Sequence, residues 1–348
     1  MSLSSLEAKR GMSVVPAITS LASMLGLRGL AIVREDEDVL TPLWLVEQEA
    51  KLAAEIRPLV NETGKLYLQL MGEEIEKLAA ASGPLSKAEA NVLVKAIQDL
   101  LDSAAVEFAE GVGPVIGTKA GEVYGTVRQS LGTIGTTFSL VDEAAMAWMK
   151  KDPAWWIQDH YGPKVSGKIQ KVAAKAIEEG LGRVELASAL QAKLEQEVGS
   201  YAYWDVLSSS NLNRSRTWGS YESAAELGFT KLVWETVGDE RVCPICGPLD
   251  QTVFYVNKAL PRQRKIVEEQ MTPDQYKDLS PWVGTRKNEA GDGLDFYTKD
   301  SDGNETSLTS NFVGMKEGKQ DDGGALQEAG VNGPPIHGRC RCALTPFE

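Results

Sequence analysis

Residues 231–250 read KLVWETVGDERVCPICGPLD, a short apolar run followed closely by two neighbouring cysteines. Lys231 to Val237 is rich in β-branched and aromatic side chains, which predicts a β-strand. This strand leads into Cys243-Pro-Ile-Cys246, and a C-x-x-C turn can place two thiolates on one cation. The stretch therefore predicts a strand-containing module organised around a metal site.

The other two cysteines lie close to the C-terminus, in His337-Gly-Arg-Cys340-Arg-Cys342. Together the two clusters contain every cysteine of the chain and one of its two histidines. A structural zinc ion takes four Cys or His ligands in a tetrahedron. We expect one such ion, bound by Cys243, Cys246 and His337, with Cys340 or Cys342 as the fourth ligand.

Two other uses of these cysteines are weaker interpretations. A pair of disulfides requires an oxidising compartment, and the N-terminal residues lack a clean secretory signal. A redox-active C-x-x-C is followed by a helix, whereas Gly247-Pro248 directly after Cys246 breaks one. Zinc binding is therefore the leading prediction.

The rest of the chain has the composition of a folded protein. Its 348 residues are 43% hydrophobic and 24% charged, as in ordinary globular proteins. The pattern predicts an α+β fold that is predominantly α-helical, with a helical N-terminal half and a smaller mixed α/β module stapled by the Cys/His zinc site. We expect a docking tail over 1–40, a helical domain over 41–152 and a metal-binding domain over 163–348.

Several local signals define the helices. Thr41-Pro42 is an N-cap and first-turn pair, and Ser86-x-x-Glu89 is a capping box. Pro58, Gly64 and Gly83-Pro84 predict interruptions in the first helical stretch. Apolar periodicity then predicts three further helices, which begin near residues 165, 186 and 204.

A Gly-rich segment over 111–135 carries Gly113, Gly117, Gly121 and Gly125 at every fourth position. In a helix these glycines line one side and let another backbone approach closely. Each costs about 1 kcal/mol of helix propensity relative to alanine, so the pattern needs a compensating contact. Tight helix packing is the preferred interpretation, ahead of oligomerisation or membrane insertion.

A domain boundary is expected where Asp152-Pro153 and Gly162-Pro163 enclose the Trp155-Trp156 pair and His160. Proline and glycine in this density predict a hinge. A lone histidine beside aromatic residues is more often a packing residue than a ligand, so we assign His160 no functional role.

The N-terminal tail contains a mostly apolar run, Val14 to Val33, after two basic residues. Its helical spacing favours an amphipathic docking helix over a signal peptide or a membrane span. No stretch of the chain reaches the roughly 18 uninterrupted apolar residues of a transmembrane helix.

The long segment between the two cysteine clusters is expected to be mostly loop over 254–333. Its basic run, Arg262 to Lys265, could join Arg339 and Arg341 in a local patch that touches DNA, although a solvated helix end explains the run equally well. Asp300-Ser-Asp-Gly303 predicts a hairpin turn, since it lacks the further acids of a calcium loop. The composition of Gly314–Gly333 predicts an extended segment that orders against a partner.

The stretch from Trp234 to Asp250 resembles a hallmark of the phage Mu F-like family of minor head (head morphogenesis) proteins. The closing run, Pro334-Pro-Ile-His-Gly-Arg-Cys-Arg-Cys342, is similar to the other hallmark of that family. Glu222 to Gly228 corresponds to the glycine-terminated helix that precedes the tryptophan strand. The likeness covers roughly residues 165–345. One departure is Gln251, because the family usually has glycine after the aspartate that follows the C-x-x-C.

The resemblance implies a structural minor head protein of a tailed bacteriophage. Such a protein is associated with the portal inside the capsid, assists head assembly and takes part in DNA packaging or ejection. The implied partners are the portal protein and the major capsid or scaffold protein. The implied location is the virion, with the host cytoplasm during assembly.

Two alternatives come from other functional classes. A DNA-binding zinc module is disfavoured by the net charge of −13, which repels phosphate on average. A metalloenzyme or toxin domain carried in the virion would need further catalytic groups, and no P-loop, GxSxG or HExxH motif occurs. Asp239 and Glu240 precede Cys243, but a polar turn is the simpler interpretation. We therefore expect no enzymatic activity.

Overall fold

The computed structural model describes residues 41–82, 85–131, 139–236, 242–314 and 323–347. Within these ranges the chain is predominantly α-helical and carries two small antiparallel sheets. This confirms the predicted α+β class. The predicted docking helix of residues 1–40 lies outside the described residues.

Among the described residues, seven α-helices precede the first strand. They are α1 (Pro42–Ala80), α2 (Lys87–Gly111), α3 (Gly113–Leu131), α4 (Leu140–Asp159), α5 (Ser166–Glu178), α6 (Arg183–Val198) and α7 (Ala202–Leu227). A π-helical turn, His160–Val165, connects α4 directly to α5. The three helices expected near residues 165, 186 and 204 are therefore present.

The predicted caps form as expected. The Thr41 hydroxyl accepts a hydrogen bond from the Trp44 backbone N–H at the start of α1. Ser86 and Glu89 form the reciprocal capping box of α2. Such caps satisfy backbone groups that the first turn of a helix leaves unpaired.

The interruptions predicted at Pro58 and Gly64 were wrong, whereas the one predicted at Gly83-Pro84 falls between the end of α1 at Ala80 and the start of α2 at Lys87. Helix α1 runs for 39 residues through both Pro58 and Gly64. Its buried side chains include Leu52, Ile56 and Val60, which pack into the main hydrophobic core. Tertiary packing thus outweighs a proline that costs about 3 kcal/mol inside a helix.

The glycine periodicity of α3 is explained by packing against α4. A Cβ atom on Gly117 would lie 2.6 Å from the Lys150 Cα, and one on Gly113 would lie 3.1 Å from the Ala154 Cα. A Cβ on Gly121 would meet no atom within 4 Å. The close-packing interpretation is confirmed for the first two glycines, whereas Gly121 has no such constraint.

The hinge predicted over 152–163 was also wrong. These residues belong to α4 and the π-helical turn, with no loop between them. Asp152 is buried and accepts hydrogen bonds from Arg214 Nη1 at 2.6 Å and Trp156 Nε1 at 2.9 Å. A distant arginine therefore holds together a segment whose local sequence predicted a break.

The hydrophobic cores divide within α7. One core contains buried residues from Trp44 to Trp218, and the second begins at Tyr221 and includes the sheet module. Independent folding of 41–152 and 163–348 stays a prediction, and the shared first core argues against it.

In the part of the chain that the structure describes, two sheets and four α-helices follow α7. Sheet A has the order β2-β1-β6, formed by β1 (Lys231–Glu235), β2 (Val253–Tyr255) and β6 (Ala343–Phe347). Sheet B has the order β3-β4-β5, formed by β3 (Val283–Lys287), β4 (Leu294–Lys299) and β5 (Glu305–Ser307). The helices are α8 (Val256–Glu268), α9 (Pro273–Leu279), α10 (Thr309–Gly314) and α11 (Gly324–Glu328).

The segment expected to be loop over 254–333 is therefore largely structured. The predicted hairpin turn at Asp300–Gly303 is confirmed, since it joins the antiparallel strands β4 and β5. The extended conformation predicted up to Gly333 is wrong for its described end, where Leu326 and Val331 lie in the second core. Residues 315–322 lie outside the described ranges. Among the described helices, none combines the length and apolarity needed to cross a membrane.

Candidate metal centre

The two cysteine clusters meet at one end of sheet A. Strands β1 and β6 are antiparallel, with Trp234 opposite Leu344 and Glu235 opposite Ala343. The end of β1 therefore lies beside the start of β6. Because Cys342 directly precedes β6, this pairing brings the C-terminal cluster to the turn that follows β1.

All five predicted ligands converge there. His337 Nε2 lies 3.1 Å from the Cys243 Sγ and 3.0 Å from the Cys246 Sγ. Cys246 Sγ lies 3.8 Å from Cys340 Sγ. The ligand atoms of Cys243, Cys246 and His337 lie within 4.8 Å of one another, and so do those of Cys246, Cys340 and Cys342. These groups could hold a metal ion.

The cysteines are free thiols rather than disulfides. Three of them, Cys246, Cys340 and Cys342, are buried, and Cys243 is partly exposed. Buried thiols without a covalent partner are consistent with metal ligation and remove the support for two disulfides between the clusters.

Local hydrogen bonds orient the ligands. The Cys246 backbone N–H donates to the Cys243 Sγ at 3.3 Å, so the first cysteine is held toward the turn. His337 Nδ1 lies 2.8 Å from the Gly338 carbonyl oxygen. Donation from Nδ1–H to this carbonyl turns Nε2 toward the thiols, which is the usual orientation of a metal-binding histidine.

Two polar side chains of helix α7 donate hydrogen bonds to the backbone of the C-terminal cluster. Asn213 Nδ2 donates to the Cys340 carbonyl at 2.6 Å. Arg216 Nη2 donates to the carbonyls of Arg341 and Cys342 at 2.9 and 2.5 Å. These contacts fix the backbone that carries two candidate ligands.

Arg216 also joins more distant parts of the chain. Its side chain is 1% exposed, and Nη1 donates to the Thr41 carbonyl at 3.0 Å. Burial lowers the pKa of Arg216 to about 10, and the nearby Cys340 and Cys342 act in the opposite direction. No short motif marks Asn213 or Arg216 as functional. The only signal in the sequence is a run of polar residues on a helix that proves to be buried.

The proton distribution of the cluster favours two thiolates beside an imidazolium. A hydrogen bond from Cys246, followed by one from His337, lowers the pKa of Cys243 to about 4. Burial alone would raise the pKa of Cys340, but hydrogen bonds from Cys246, Cys342 and His337 bring it well below its usual value. Burial also opposes the charge on His337, whose pKa is nevertheless raised to about 10 by Cys243 and Cys340. A cation that enters the cluster would displace these protons.

The turn after the C-x-x-C closes back onto β1. Asp250 Oδ1 accepts from both the backbone N–H and the hydroxyl of Thr236, each at 2.9 Å. The Gln251 N–H donates to the Trp234 carbonyl at 2.8 Å, and Gln251 has a φ of +64°. This is left-handed backbone, which glycine adopts at least cost. Asp239 and Glu240 lie outside the described residues.

The four arginines expected to form one basic patch do not come together. Arg264 pairs with Glu222 at 2.6 Å, whereas Arg339 pairs with Asp205 at 3.0 Å. Glu222 and Asp205 both lie on α7 and are about 25 Å apart along its axis at 1.5 Å per residue. Arg341 pairs with Glu49 at 2.8 Å. The predicted patch is therefore split, and its arginines are engaged within the chain.

Because comparison with known proteins finds no match, any functional assignment rests on the residues of this chain. No family model, no curated protein and no solved structure matches it.

Proposed function

We propose that this chain is a structural minor head protein of a tailed bacteriophage, and that one structural zinc ion closes its C-terminal module. The observation that carries the proposal is that the four cysteines and His337 form two groups of possible ligands, which share Cys246, at one end of sheet A. The two segments that resemble the hallmarks of the phage Mu F-like family are the same two segments that contain these possible ligands.

Zinc suits the observed spacing. A tetrahedral site with Zn–S distances of about 2.3 Å has sulfur–sulfur edges of about 3.8 Å. Cys246 Sγ and Cys340 Sγ are separated by 3.8 Å. Sulfur–nitrogen edges would be about 3.6 Å, so the contacts of 3.0–3.1 Å at His337 would widen slightly around the ion.

Cys340 is the better fourth ligand. Its sulfur contacts Cys246, and its interaction with His337 contributes to the raised pKa of that imidazole. Cys342 interacts with Cys246, Cys340 and Trp234 but is not among the groups that shift the His337 pKa most. We therefore assign Cys243, Cys246, His337 and Cys340 as ligands and Cys342 as a neighbouring thiol.

This ligand set supports a structural role rather than a catalytic one. Four protein ligands complete a tetrahedron and leave no position for a reactive water. The supporting contacts from Asn213 and Arg216 reach backbone carbonyls and do not face a substrate. The ion would pin the turn after β1 to the start of β6, so that its binding energy becomes folding energy.

Two backbone features support the family resemblance. Gln251 has left-handed backbone at the position where the family usually has glycine. Helix α7 ends at Gly228, which has a φ of +82°, as expected for the glycine-terminated helix before the tryptophan strand. Gly228 agrees with the family in residue type, whereas Gln251 departs from it in residue type but keeps a backbone conformation that glycine favours.

The proposed setting follows from the same resemblance. The protein would lie inside the capsid near the portal and contact the portal protein and the major capsid or scaffold protein. It would be present in the host cytoplasm during assembly and would act in head assembly, DNA packaging or ejection by docking.

Metal analysis and particle incorporation test the two parts of this proposal. Protein purified under reducing conditions should contain about one zinc per chain. Cys243→Ser and Cys340→Ser should lose the metal, whereas the matched variant Cys342→Ser should retain it. A folded, metal-free wild-type chain would overturn the zinc site.

Incorporation is measured by blotting purified particles. Wild type and Cys342→Ser should be present in heads at low copy number, and Cys243→Ser should be absent because its docking module has unfolded. Absence of the wild-type protein from particles would overturn the proposed head function and leave the zinc assignment standing.

A further inference from the structure

A cleft of about 390 Å³ lies away from the cysteine cluster, between α4, the π-helical turn, α7 and α9. Its volume falls in the range of small-molecule sites. Four aromatic side chains line it: Trp156, Tyr203, Tyr276 and Trp282. Trp282 is 44% exposed, which is unusual for a tryptophan of this chain. The exposed face of Trp282 beside the cleft is a surface on which a planar ring can stack.

The charged side chains that line this cleft are all cationic. The chain has a net charge of −13, yet among the described residues that line the cleft no carboxylate occurs. Four cationic side chains do line it: Lys164, Lys277, Lys299 and Arg214. The Arg214 charge is neutralised by the buried Asp152, so the attraction of the cleft for an anion rests on the three lysines.

The lysines keep hydrogen-bonding capacity for a ligand. Lys164 pairs with Asp159 at 2.5 Å, Lys277 pairs with Asp274 at 2.9 Å, and Lys299 lies 3.5 Å from Glu305. These acids lie outside the lining of the cleft. Lys277 also lies 3.7 Å from Asp159. Each ammonium has three donors, so one or two carboxylate contacts still leave a donor for a phosphate.

Three residues of the same wall also carry buried polar atoms without a partner. Within the described residues, Ser210 Oγ, Arg214 Nε and His160 Nε2 have no hydrogen-bond partner. All three residues line the cleft, and Ser210 is only 3% exposed. His160 stacks on Tyr203 at 3.7 Å between ring centroids, which holds its ring in place. A buried hydroxyl without a partner costs free energy, which a ligand would recover only if the Ser210 side chain turned toward the cleft.

We propose that this cleft binds an aromatic base that carries a phosphate, with the base against Trp282 and the neighbouring aromatic rings and the phosphate on the lysines. Stacking platforms combined with cationic side chains are the general means of binding nucleotides without sequence preference. The same chemistry could come from a free nucleotide or from one nucleotide of a single strand. The proposal concerns a different site from the metal centre and is independent of the zinc assignment.

Calorimetric titration of the full chain with four probes tests the site. These are adenosine 5′-monophosphate, neutral adenosine, inorganic phosphate and a short single-stranded oligothymidylate. We expect the monophosphate or the oligonucleotide to bind more tightly than adenosine and phosphate. Tight binding of the monophosphate assigns the site to free nucleotides, and binding of the oligonucleotide alone assigns it to a single strand.

Two variants locate the binding. Trp282→Ala should weaken binding by about five- to a hundredfold, the effect of losing one stacked base. Lys299→Glu should weaken binding of the phosphorylated probe and leave that of adenosine unchanged. The matched controls Lys95→Glu and Val92→Ala, on an exposed face of α2, should bind as wild type does.

Three results would overturn the proposal. They are the absence of binding by both phosphorylated probes, adenosine binding as tightly as its monophosphate, and unchanged binding by Trp282→Ala and Lys299→Glu.

Discussion

Replacing Arg216 by methionine should destabilise the protein more than any surface change of charge. Methionine preserves much of the side-chain length and removes the guanidinium. The variant loses the hydrogen bonds to the carbonyls of Thr41, Arg341 and Cys342 and to the Asn213 side chain. Because Arg216 is only 1% exposed, water cannot reach the acceptors that lose their donor.

The expected magnitude follows from the contacts that are lost. A hydrogen bond from a charged donor contributes about 1.5–3 kcal/mol, and breaking a buried charged contact typically costs about 3–5 kcal/mol in total. We therefore expect Arg216→Met to lower the free energy of unfolding by about 3–5 kcal/mol, a large part of the roughly 5–15 kcal/mol of a typical domain. The affinity for zinc should also fall, because the carbonyls that position Cys340 and Cys342 lose their support.

Urea unfolding followed by circular dichroism measures the stability, and competition with a chromogenic chelator measures the zinc affinity. Arg339→Met is the matched control, since this arginine lies in the same cluster but is exposed and makes a single surface ion pair with Asp205. It should change stability by less than about 1 kcal/mol. Arg216→Lys should fall between the two, because an ammonium keeps the charge and cannot reach all four acceptors. If Arg216→Met retains wild-type stability and zinc affinity, the assigned role of this residue is refuted.

Three further predictions concern backbone and charge away from the metal ligands. Gly117→Ala should lower the thermal midpoint measured by calorimetry, because its Cβ would overlap α4. Gly121→Ala should raise the midpoint slightly, because alanine has the higher helix propensity. The opposite order of the two midpoints would contradict the packing interpretation. Gln251→Gly should stabilise the protein by about 0.5–1 kcal/mol in urea, since it relieves a left-handed non-glycine residue, and a loss of stability would show that the Gln251 side chain matters. Burial would raise the pKa of Asp142, but Arg128 and other donors lower it to about 2. The folded-state pKa lies below the unfolded-state pKa of 3.8, so the charged Asp142 stabilises the fold above that pH. About 2 kcal/mol of the free energy of unfolding should therefore be lost as the pH falls from about 4 to 2. Asp142→Asn should remove this part of the pH dependence.

The local signals in the sequence predicted the elements that depend on neighbouring residues. The caps at Thr41 and Ser86 are contacts within one helical turn, so their residue types are sufficient to place them. The strand at Lys231–Glu235 and the C-x-x-C turn are equally local. The restriction of all cysteines to two clusters predicted the metal site, because few other roles unite such residues.

The sequence was misleading where distant residues compensate for an unfavourable local one. Pro58 lies inside α1 because the buried face of a 39-residue helix outweighs the lost hydrogen bond. The Asp152-Pro153 pair is helical because Arg214 pairs with the buried carboxylate of Asp152. Neither compensation is visible in a short window of sequence.

The sequence by itself determined the helical class, the β1 strand and the identity of the five candidate ligands. Only the tertiary structure decided how they meet, because the β1–β6 pairing joins segments that are about a hundred residues apart. It also revealed Arg216, whose role depends on carbonyl groups from both ends of the described chain. A backbone carbonyl carries no residue identity, so a side chain that binds several of them leaves no motif in the sequence.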